Sequence, residues 1–162
     1  MRLAAVIFDD DAVDQVMAEA LQALPGRRVL GYLQTRRDES DCDCSQIALT
    51  ALHDGSRQVI TQNLGRASQG CSLDPAALAQ VAGLLQARLP EAPDLLVLNR
   101  FGKIEAEGGG MRAVLKRALE SGIPILLAVN RKHLPAWRAY CGDIAEELPC
   151  DAETIRAFAL RV

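Results

Sequence analysis

The sequence predicts an α/β protein in three layers, in which helices cover both faces of a mostly parallel β-sheet. Short, continuous apolar runs alternate with segments whose apolar residues recur at helical spacing. This alternation is typical of right-handed crossovers between parallel strands. Residues 53–56 also carry an Asp-Gly pair between two strand-like runs, which predicts one β-hairpin beside the parallel strands.

The composition agrees with one globular domain that spans residues 1–162. Apolar residues make up 49% of the chain and charged residues 24%, and the net charge is −3. A negative net charge disfavours nucleic-acid binding, which requires a basic surface. No run approaches the roughly 18 apolar residues of a membrane span. The opening apolar run also meets acidic residues too early for a signal peptide, so we expect a cytoplasmic protein.

The first part of the chain predicts a β-α-β unit. Leu3–Phe8 is a continuous apolar run, as expected of a strand that is buried on both faces. Apolar residues recur over residues 13–24 at the spacing of one helix face, and a Pro-Gly pair ends this helix. Residues 28–34 form the second predicted strand, and the polar residues 35–45 form a loop.

The rest of the chain continues the alternation. Asp74 followed by Pro75 is a typical helix start, with the Asp side chain as the cap. The helix that they open, at residues 75–89, is apolar on nearly all sides, so we expect it to be the most buried helix. The other predicted elements are hairpin strands at 46–52 and 57–62, strands at 94–99 and 123–129, and helices at 111–121, 134–141 and 152–159.

The predicted fold also locates a site, because open parallel sheets bind ligands beyond the carboxyl ends of their strands. The segments that follow the predicted strands at this edge are Asp9-Asp10-Asp11, residues 34–37, residues 99–103 and Asn130-Arg131-Lys132. We therefore expect the functional residues to lie in these segments.

Residues 99–110 supply most of the candidate ligand site. The segment follows a buried strand, carries Arg100 and Lys103, and ends in three glycines that open a helix. Glycines allow the backbone to approach a ligand closely, and free N–H groups at a helix start attract anions. The candidate ligand-binding residues are Asn99, Arg100, Gly102, Lys103, Glu105, Gly108, Gly109, Gly110, Asn130 and Arg131. The alternative is a loop whose charges are solvated or paired within the chain.

The acidic triplet Asp9, Asp10 and Asp11 follows the first strand. Carboxylate oxygens are the ligands that Mg²⁺ and other hard cations prefer, so the triplet is a candidate metal site. Capping of the following helix, together with solvation, is the alternative explanation.

Three of the five cysteines form a candidate group of reactive thiols. Cys42 and Cys44 are separated by one residue, and Cys71 lies just before the N-terminus of a predicted helix, whose positive end would lower its pKa. A structural zinc site is disfavoured because zinc ligands usually occur as Cys pairs with two to four intervening residues. Free, reduced thiols are the alternative in a reducing compartment.

Two motifs resemble a known family over nearly the whole chain. Residues 99–108 read Asn-Arg-Phe-Gly-Lys-Ile-Glu-Ala-Glu-Gly, and residues 62–74 contain Gln-Asn-Leu-Gly and Ser-Gln-Gly-Cys-Ser-Leu-Asp. They are similar to motifs of a bacterial family of unknown function, which is related to the small thermophile-type P-loop nucleoside-triphosphatases. The resemblance implies a P-loop NTPase-like fold. Members often occur near genes for molybdenum uptake and use, which implies a link to that metal.

The phosphate-binding motifs of those enzymes are degenerate in this sequence. Residues 9–16 contain no Gly, Lys, Ser or Thr, although a working P-loop needs them to hold phosphates and Mg²⁺. Asn99-Arg100 stands where the related enzymes carry an Asp-Glu pair. We therefore expect little or no hydrolysis of nucleoside triphosphates.

Three functions are compatible with these observations. The first is a protein that binds a nucleotide, a phosphate or an oxyanion such as molybdate at the carboxyl edge of the sheet. The second is a phosphohydrolase that uses a divalent metal held by the acidic triplet. The third is a protein-interaction module without a small ligand. Mg²⁺ or an oxyanion is the cofactor to be tested, and self-association as a homo-oligomer is compatible with all three.

Overall fold

The computed structural model describes residues 2–10, 12–22, 24–37, 46–62 and 72–162. Within these residues the strands are β1 (Leu3–Phe8), β2 (Val29–Arg37), β3 (Gln46–Ala51), β4 (Arg57–Val59), β5 (Thr61–Gln62), β6 (Ser72–Leu73), β7 (Leu95–Phe101), β8 (Ile125–Asn130) and β9 (Ala145–Pro149). The α-helices are α1 (Val13–Leu21), α2 (Pro75–Arg88), α3 (Lys103–Ala106), α4 (Arg112–Glu120), α5 (Leu134–Cys141) and α6 (Ala152–Arg161).

Seven strands form the main sheet in the order β4-β3-β2-β7-β8-β1-β9. The five strands from β2 to β9 in this order are parallel, whereas β3 and β4 are added antiparallel. The prediction that the runs at residues 3–8, 28–34, 94–99 and 123–129 share one sheet is therefore confirmed. The predicted hairpin is confirmed as the pair β3 and β4.

Helices cover both faces of this sheet, so the three-layer prediction is also confirmed. On one face, α1 and α6 pack against β1 through residues such as Met17 and Phe158, which are almost fully buried. On the other face, α2, α4 and α5 cover the sheet, with Trp137 of α5 among the largest fully buried side chains. The predicted cap of α2 is present, since Asp74 accepts the backbone N–H of Ala76 at 2.9 Å.

The structure corrects several predicted boundaries. β2 continues to Arg37 and β7 to Phe101, although residues 35–37 and 100–101 were predicted as loops. Strand β9 was not predicted, because its sequence Ala-Glu-Glu-Leu-Pro lies at the sheet edge and only Leu148 in it is buried. Helix α2 is not the most buried helix, since Leu84 on its outer face is 44% exposed.

Candidate functional site

A cleft of about 560 Å³ opens at the carboxyl ends of β1 and β9, beside the residues that follow β8. Its apolar lining comes mainly from the ends of these strands and from α1 and α5. Its polar lining is Asp9, Asp10, Arg131, Arg138, Glu147 and Cys150. The cleft therefore lies at the edge where open parallel sheets place their ligands.

Asp9 and Arg131 meet across the cleft. The Arg131 Nε donates to Asp9 Oδ1 at 2.9 Å, and its Nη2 donates to Asp9 Oδ2 at 3.2 Å. This contact raises the pKa of Arg131, mainly through the hydrogen bond. Both side chains are more than 60% exposed, and exposed ion pairs contribute little to stability. The pair therefore adds little to the stability of the fold.

The start of α1 lies beside this pair. Asp10 accepts the backbone N–H of Ala12 at 3.1 Å, so its carboxylate turns back onto its own loop. The residue at the cap position is Ala12, whose methyl group cannot accept a hydrogen bond. Asp11, which was predicted as a cap or metal ligand, lies outside the described residues.

A second ion pair also lines the cleft. Arg138 donates to both carboxylate oxygens of Glu147, at 2.7 and 2.8 Å. The hydrogen bond with Arg138 lowers the pKa of Glu147, so this carboxylate keeps its charge in mildly acidic solution. Arg138, Glu147 and Cys150 were not predicted as site residues, because Glu147 and Cys150 belong to the β9 region that the sequence pattern did not reveal.

Arg100 projects from β7 toward the first turn of α1. Its Nη2 donates to Asp14 Oδ2 at 2.5 Å, and its guanidinium carbon lies 4.9 Å from the centre of the Phe8 ring. Both charged side chains are at least three-quarters buried. This ion pair links the end of β7 to the helix start that follows β1.

Asn99 lies in the sheet rather than in the cleft. The register of β7 against β8 shifts between Leu98 and Arg100, which makes Asn99 an extra residue in the strand. Its amide oxygen accepts the backbone N–H of Gln34 at 3.0 Å, and its amide nitrogen donates to the Gln34 side-chain oxygen at 3.3 Å. These two hydrogen bonds join the buried Asn99 side chain to Gln34 of β2.

Glu105 closes the loop between β7 and α4. Its side chain is buried and accepts two backbone N–H groups, from Gly102 at 3.0 Å and from Met111 at 3.2 Å. The Met111 N–H stands at the cap position of α4, so a carboxylate of the chain itself occupies this helix start. A Cβ on Gly110, whose φ is +55°, would collide with the Glu105 carboxylate. The Glu105 side chain therefore explains why position 110 requires glycine, without an external ligand.

Two other predicted ligand-binding residues, Lys103 and Asn130, do not line the cleft. Lys103 is exposed, with its Nζ 3.9 Å from Glu107. The Asn130 side chain accepts the N–H of Lys132 at 3.1 Å and so begins a short 3₁₀ turn. Of the predicted ligand and metal residues that the structure describes, the cleft brings together Asp9, Asp10 and Arg131.

Two further groups of predicted residues are the metal ligands and the thiols. Within the described ranges, no group of three or more His, Cys, Asp or Glu side chains is arranged to hold a metal ion. Cys42, Cys44 and Cys71 lie outside the described residues. Cys141 and Cys150 are free thiols, the first buried and the second half-buried.

Cys150 provides a chemical probe of the cleft. Burial raises the pKa of its thiol, and the nearby carboxylates of Asp10 and Asp151 raise it further. Little thiolate is then present at neutral pH, so we expect iodoacetamide to label Cys150 slowly there and faster as the pH rises above the usual pKa of about 8.5. Peptide mass mapping measures the rate at this residue alone. Labelling that is already maximal at neutral pH would contradict the prediction.

The fold and the family of this chain follow from comparisons with known proteins. The fold is the P-loop NTPase-like α/β fold: it matches the crystal structure of THEP1 from the hyperthermophile Aquifex aeolicus with a TM-score of 0.64, over 93% of this chain and 90% of that chain, at 10% identity. The model of a family described as "Protein of unknown function (DUF2478)" matches residues 3–158. The chain belongs to this family.

A longer relative is similar to this chain over nearly its whole length. The molybdenum import ATP-binding protein ModC 2 of Bradyrhizobium diazoefficiens is 35% identical over 161 residues, which cover 97% of this chain. The match spans 18% of that relative's length. In the described part of the chain, no helix has the length and apolar character needed to cross a membrane.

Proposed function

We propose that this chain binds a small anion in the cleft at the carboxyl ends of β1 and β9, which we call the carboxyl-edge cleft. We also propose that it hydrolyses nucleoside triphosphates little or not at all. The ligand class is a nucleotide, a phosphate or an oxyanion. The observation that carries the proposal is the position of Arg131, an exposed guanidinium that lines an open cleft beside the start of α1. Guanidinium groups and helix N-termini both bind phosphate-like anions in proteins.

Asp9 acts as a replaceable partner in this proposal. An incoming anion competes with its carboxylate for the Arg131 guanidinium. Because the exposed pair contributes little to stability, its replacement costs little free energy. Asp9 and Asp10 can then contact a Mg²⁺ ion that accompanies a nucleotide, since carboxylate oxygens suit this cation. The cleft volume of about 560 Å³ accommodates a nucleotide as well as an inorganic anion.

The lack of hydrolysis is proposed from the Arg100–Asp14 ion pair. P-loop enzymes place a cationic Lys at the start of the first helix, and acidic residues at a strand end hold Mg²⁺. In this chain the helix start carries the carboxylate of Asp14, and the strand end carries the guanidinium of Arg100. Compared with P-loop enzymes, the positive and negative side chains have thus changed places between the helix and the strand. In this chain they form an ion pair with each other. Neither is then available to stabilise a transferred phosphoryl group.

The ModC 2 relative supports molybdate as one oxyanion to test. Its name assigns it to molybdenum import and ATP binding, and this chain matches a minor part of it. Molybdate is a tetrahedral dianion, which resembles phosphate in the hydrogen bonds that it accepts. We propose a role connected with molybdenum on this ground.

Arg131→Gln is expected to weaken anion binding. Loss of one charge-assisted hydrogen-bonding group at an exposed position should reduce the affinity by about three- to tenfold. Isothermal titration with ADP, phosphate, sulfate and molybdate, each with and without Mg²⁺, measures this change. Arg117→Gln is the matched control, because Arg117 is exposed on α4 and does not line the cleft. Equal affinities of both variants for each anion would contradict the proposal.

We expect the turnover number for ATP and GTP to remain far below about 1 s⁻¹, the lower end of typical enzyme kcat values. Phosphate release with Mg²⁺ measures it. Turnover above this rate that Asp10→Ala abolishes would instead support the metal-dependent phosphohydrolase. Absence of both binding and turnover would favour the protein-interaction module.

A further inference from the structure

Helix α2 has apolar residues on two opposite sides. The residues of its inner side are buried in the core beside the sheet: Leu78, Val81, Ala82 and Leu85. The opposite side, which we call the outer face of α2, is exposed along the helix and consists of Ala76, Ala79, Gln80, Gly83, Leu84 and Ala87. The outer face takes no part in the proposed anion site, whose lining includes no residue of α2.

The outer face of α2 carries no charged side chain. Residues 75–87 contain no Asp, Glu, Lys or Arg, although charged residues make up 24% of the chain. Other surface helices differ from α2 in this respect. Helix α4 exposes Lys116 and Glu120, and helix α6 exposes Glu153 and Arg161. A helix that is apolar on all sides is usually buried on all sides, so the composition of α2 is typical of a helix whose outer face is also covered.

The residues of the outer face form one continuous stripe. They recur at the spacing i, i+3, i+4, i+7, i+8 and i+11, which places them in one row along a helix. Leu84 protrudes from the stripe with 44% of its surface exposed. At Gly83 a Cβ would meet no atom within 4 Å, so the helix backbone there is open to approach. The stripe thus combines protruding side chains with positions that another helix can approach closely.

This stripe is complementary to itself when two copies of α2 lie antiparallel. If they cross midway between Gln80 and Gly83, Leu84 of one copy faces Ala79 of the other. Gln80 of one copy then faces Gly83 of the other. A two-fold axis repeats both contacts, so every longer side chain meets a small residue. Small residues at a helix crossing allow the two axes to approach to about 8 Å.

The charges at the two ends of α2 favour the same orientation. Asp74 caps the start of the helix, and Arg88 lies in its last turn. An antiparallel pair brings Arg88 of one copy near Asp74 of the other, whereas a parallel pair would bring two Arg88 side chains together. The helix dipoles also run in opposite directions in the antiparallel pair. These long-range effects leave Arg88 bonded to Glu91 and Asp74 bonded to the Ala76 N–H.

We propose that the outer face of α2 is a self-association surface, on which two copies of this chain form an antiparallel, two-fold symmetric helix pair. The 14 residues of α2 span about 21 Å, and a helix is about 10 Å wide. The contact is therefore much smaller than the roughly 800 Å² that each partner buries in a standard interface. We expect a weak dimer, with a dissociation constant on the order of 0.1 mM.

Sedimentation velocity of the full chain between about 10 μM and 1 mM measures this equilibrium. The mean mass of the wild type should rise toward that of a dimer over this range. Leu84→Glu places a carboxylate against the other copy and should weaken association at least about tenfold. Leu160→Glu is the matched control, because Leu160 is 46% exposed on α6, and it should associate as the wild type does. Circular dichroism checks that each variant is folded.

A mixing experiment tests the antiparallel pairing. Ala79→Lys should also weaken self-association, because it places an ammonium group against Leu84 of the other copy. An equimolar mixture of Ala79→Lys and Leu84→Glu should associate again, since the two introduced charges then face each other. The proposal is overturned if the wild type stays monomeric up to about 1 mM, if Leu84→Glu associates as strongly as Leu160→Glu, or if the mixture associates no better than either variant alone.

Discussion

Gly31→Ala is expected to destabilise the protein by about 4 kcal/mol or more, which is enough to leave much of it unfolded. Gly31 lies in β2 with a φ of +142°, a conformation that side-chain-bearing residues rarely adopt. A Cβ there would also fall onto the backbone of Val97 in the neighbouring strand, 2.8 Å from its carbonyl carbon. Backbone atoms of a central strand cannot move aside without breaking the ladder between β2 and β7.

Urea unfolding measures this effect, and Gly83→Ala is the matched control. Gly83 lies on the exposed side of α2 with open space around its Cα, so alanine there should stabilise the protein by about 0.5 kcal/mol. If the midpoint of Gly31→Ala equals that of the wild type, the close approach of these two strands is wrong.

Glu105→Ala is expected to cost about 3 kcal/mol, because it leaves the buried N–H of Met111 and the N–H of Gly102 without their charged acceptor. Glu105→Gln keeps one acceptor oxygen and should cost less than the alanine variant. Thermal unfolding of both variants checks this order. Glu107→Ala, at an exposed position 3.9 Å from Lys103, is the control and should change the stability by no more than about 0.5 kcal/mol. A stability of Glu105→Ala equal to this control would remove the proposed structural role.

The sequence pattern was most informative where a strand or helix is buried on a regular face. Leu3–Phe8 and the helix at residues 134–141 were predicted with the observed boundaries, because buried apolar runs and local start signals define them. Strand β9 carries two glutamates on an edge, and its pairing with β1 is a long-range contact that no local pattern encodes. Helix α2 shows the opposite limit: an apolar residue such as Leu84 indicates the capacity for burial, not its occurrence.

The sequence predicted the edge of the sheet at which the cleft lies, but not most of the side-chain contacts there. The rule for parallel sheets pointed to Asp9, Asp10 and Arg131, which the cleft brings together. Partners such as Asp14 for Arg100 depend on the angle between a helix and a strand, which spacing along the chain does not determine. Glu105 was considered as a ligand-binding residue, yet the structure shows its carboxylate bound to two backbone N–H groups of its own loop.

The position of β1 between β8 and β9 bears on when the site can form. β1 pairs Leu3 with Ile125 on one side and with Ala145 on the other, so both neighbours follow it by more than a hundred residues. During synthesis the ribosome must therefore release most of the chain before β1 finds either partner. Such a high contact order slows folding and leaves an apolar strand exposed meanwhile. The cleft, whose walls come from the same distant segments, is complete only after this late insertion.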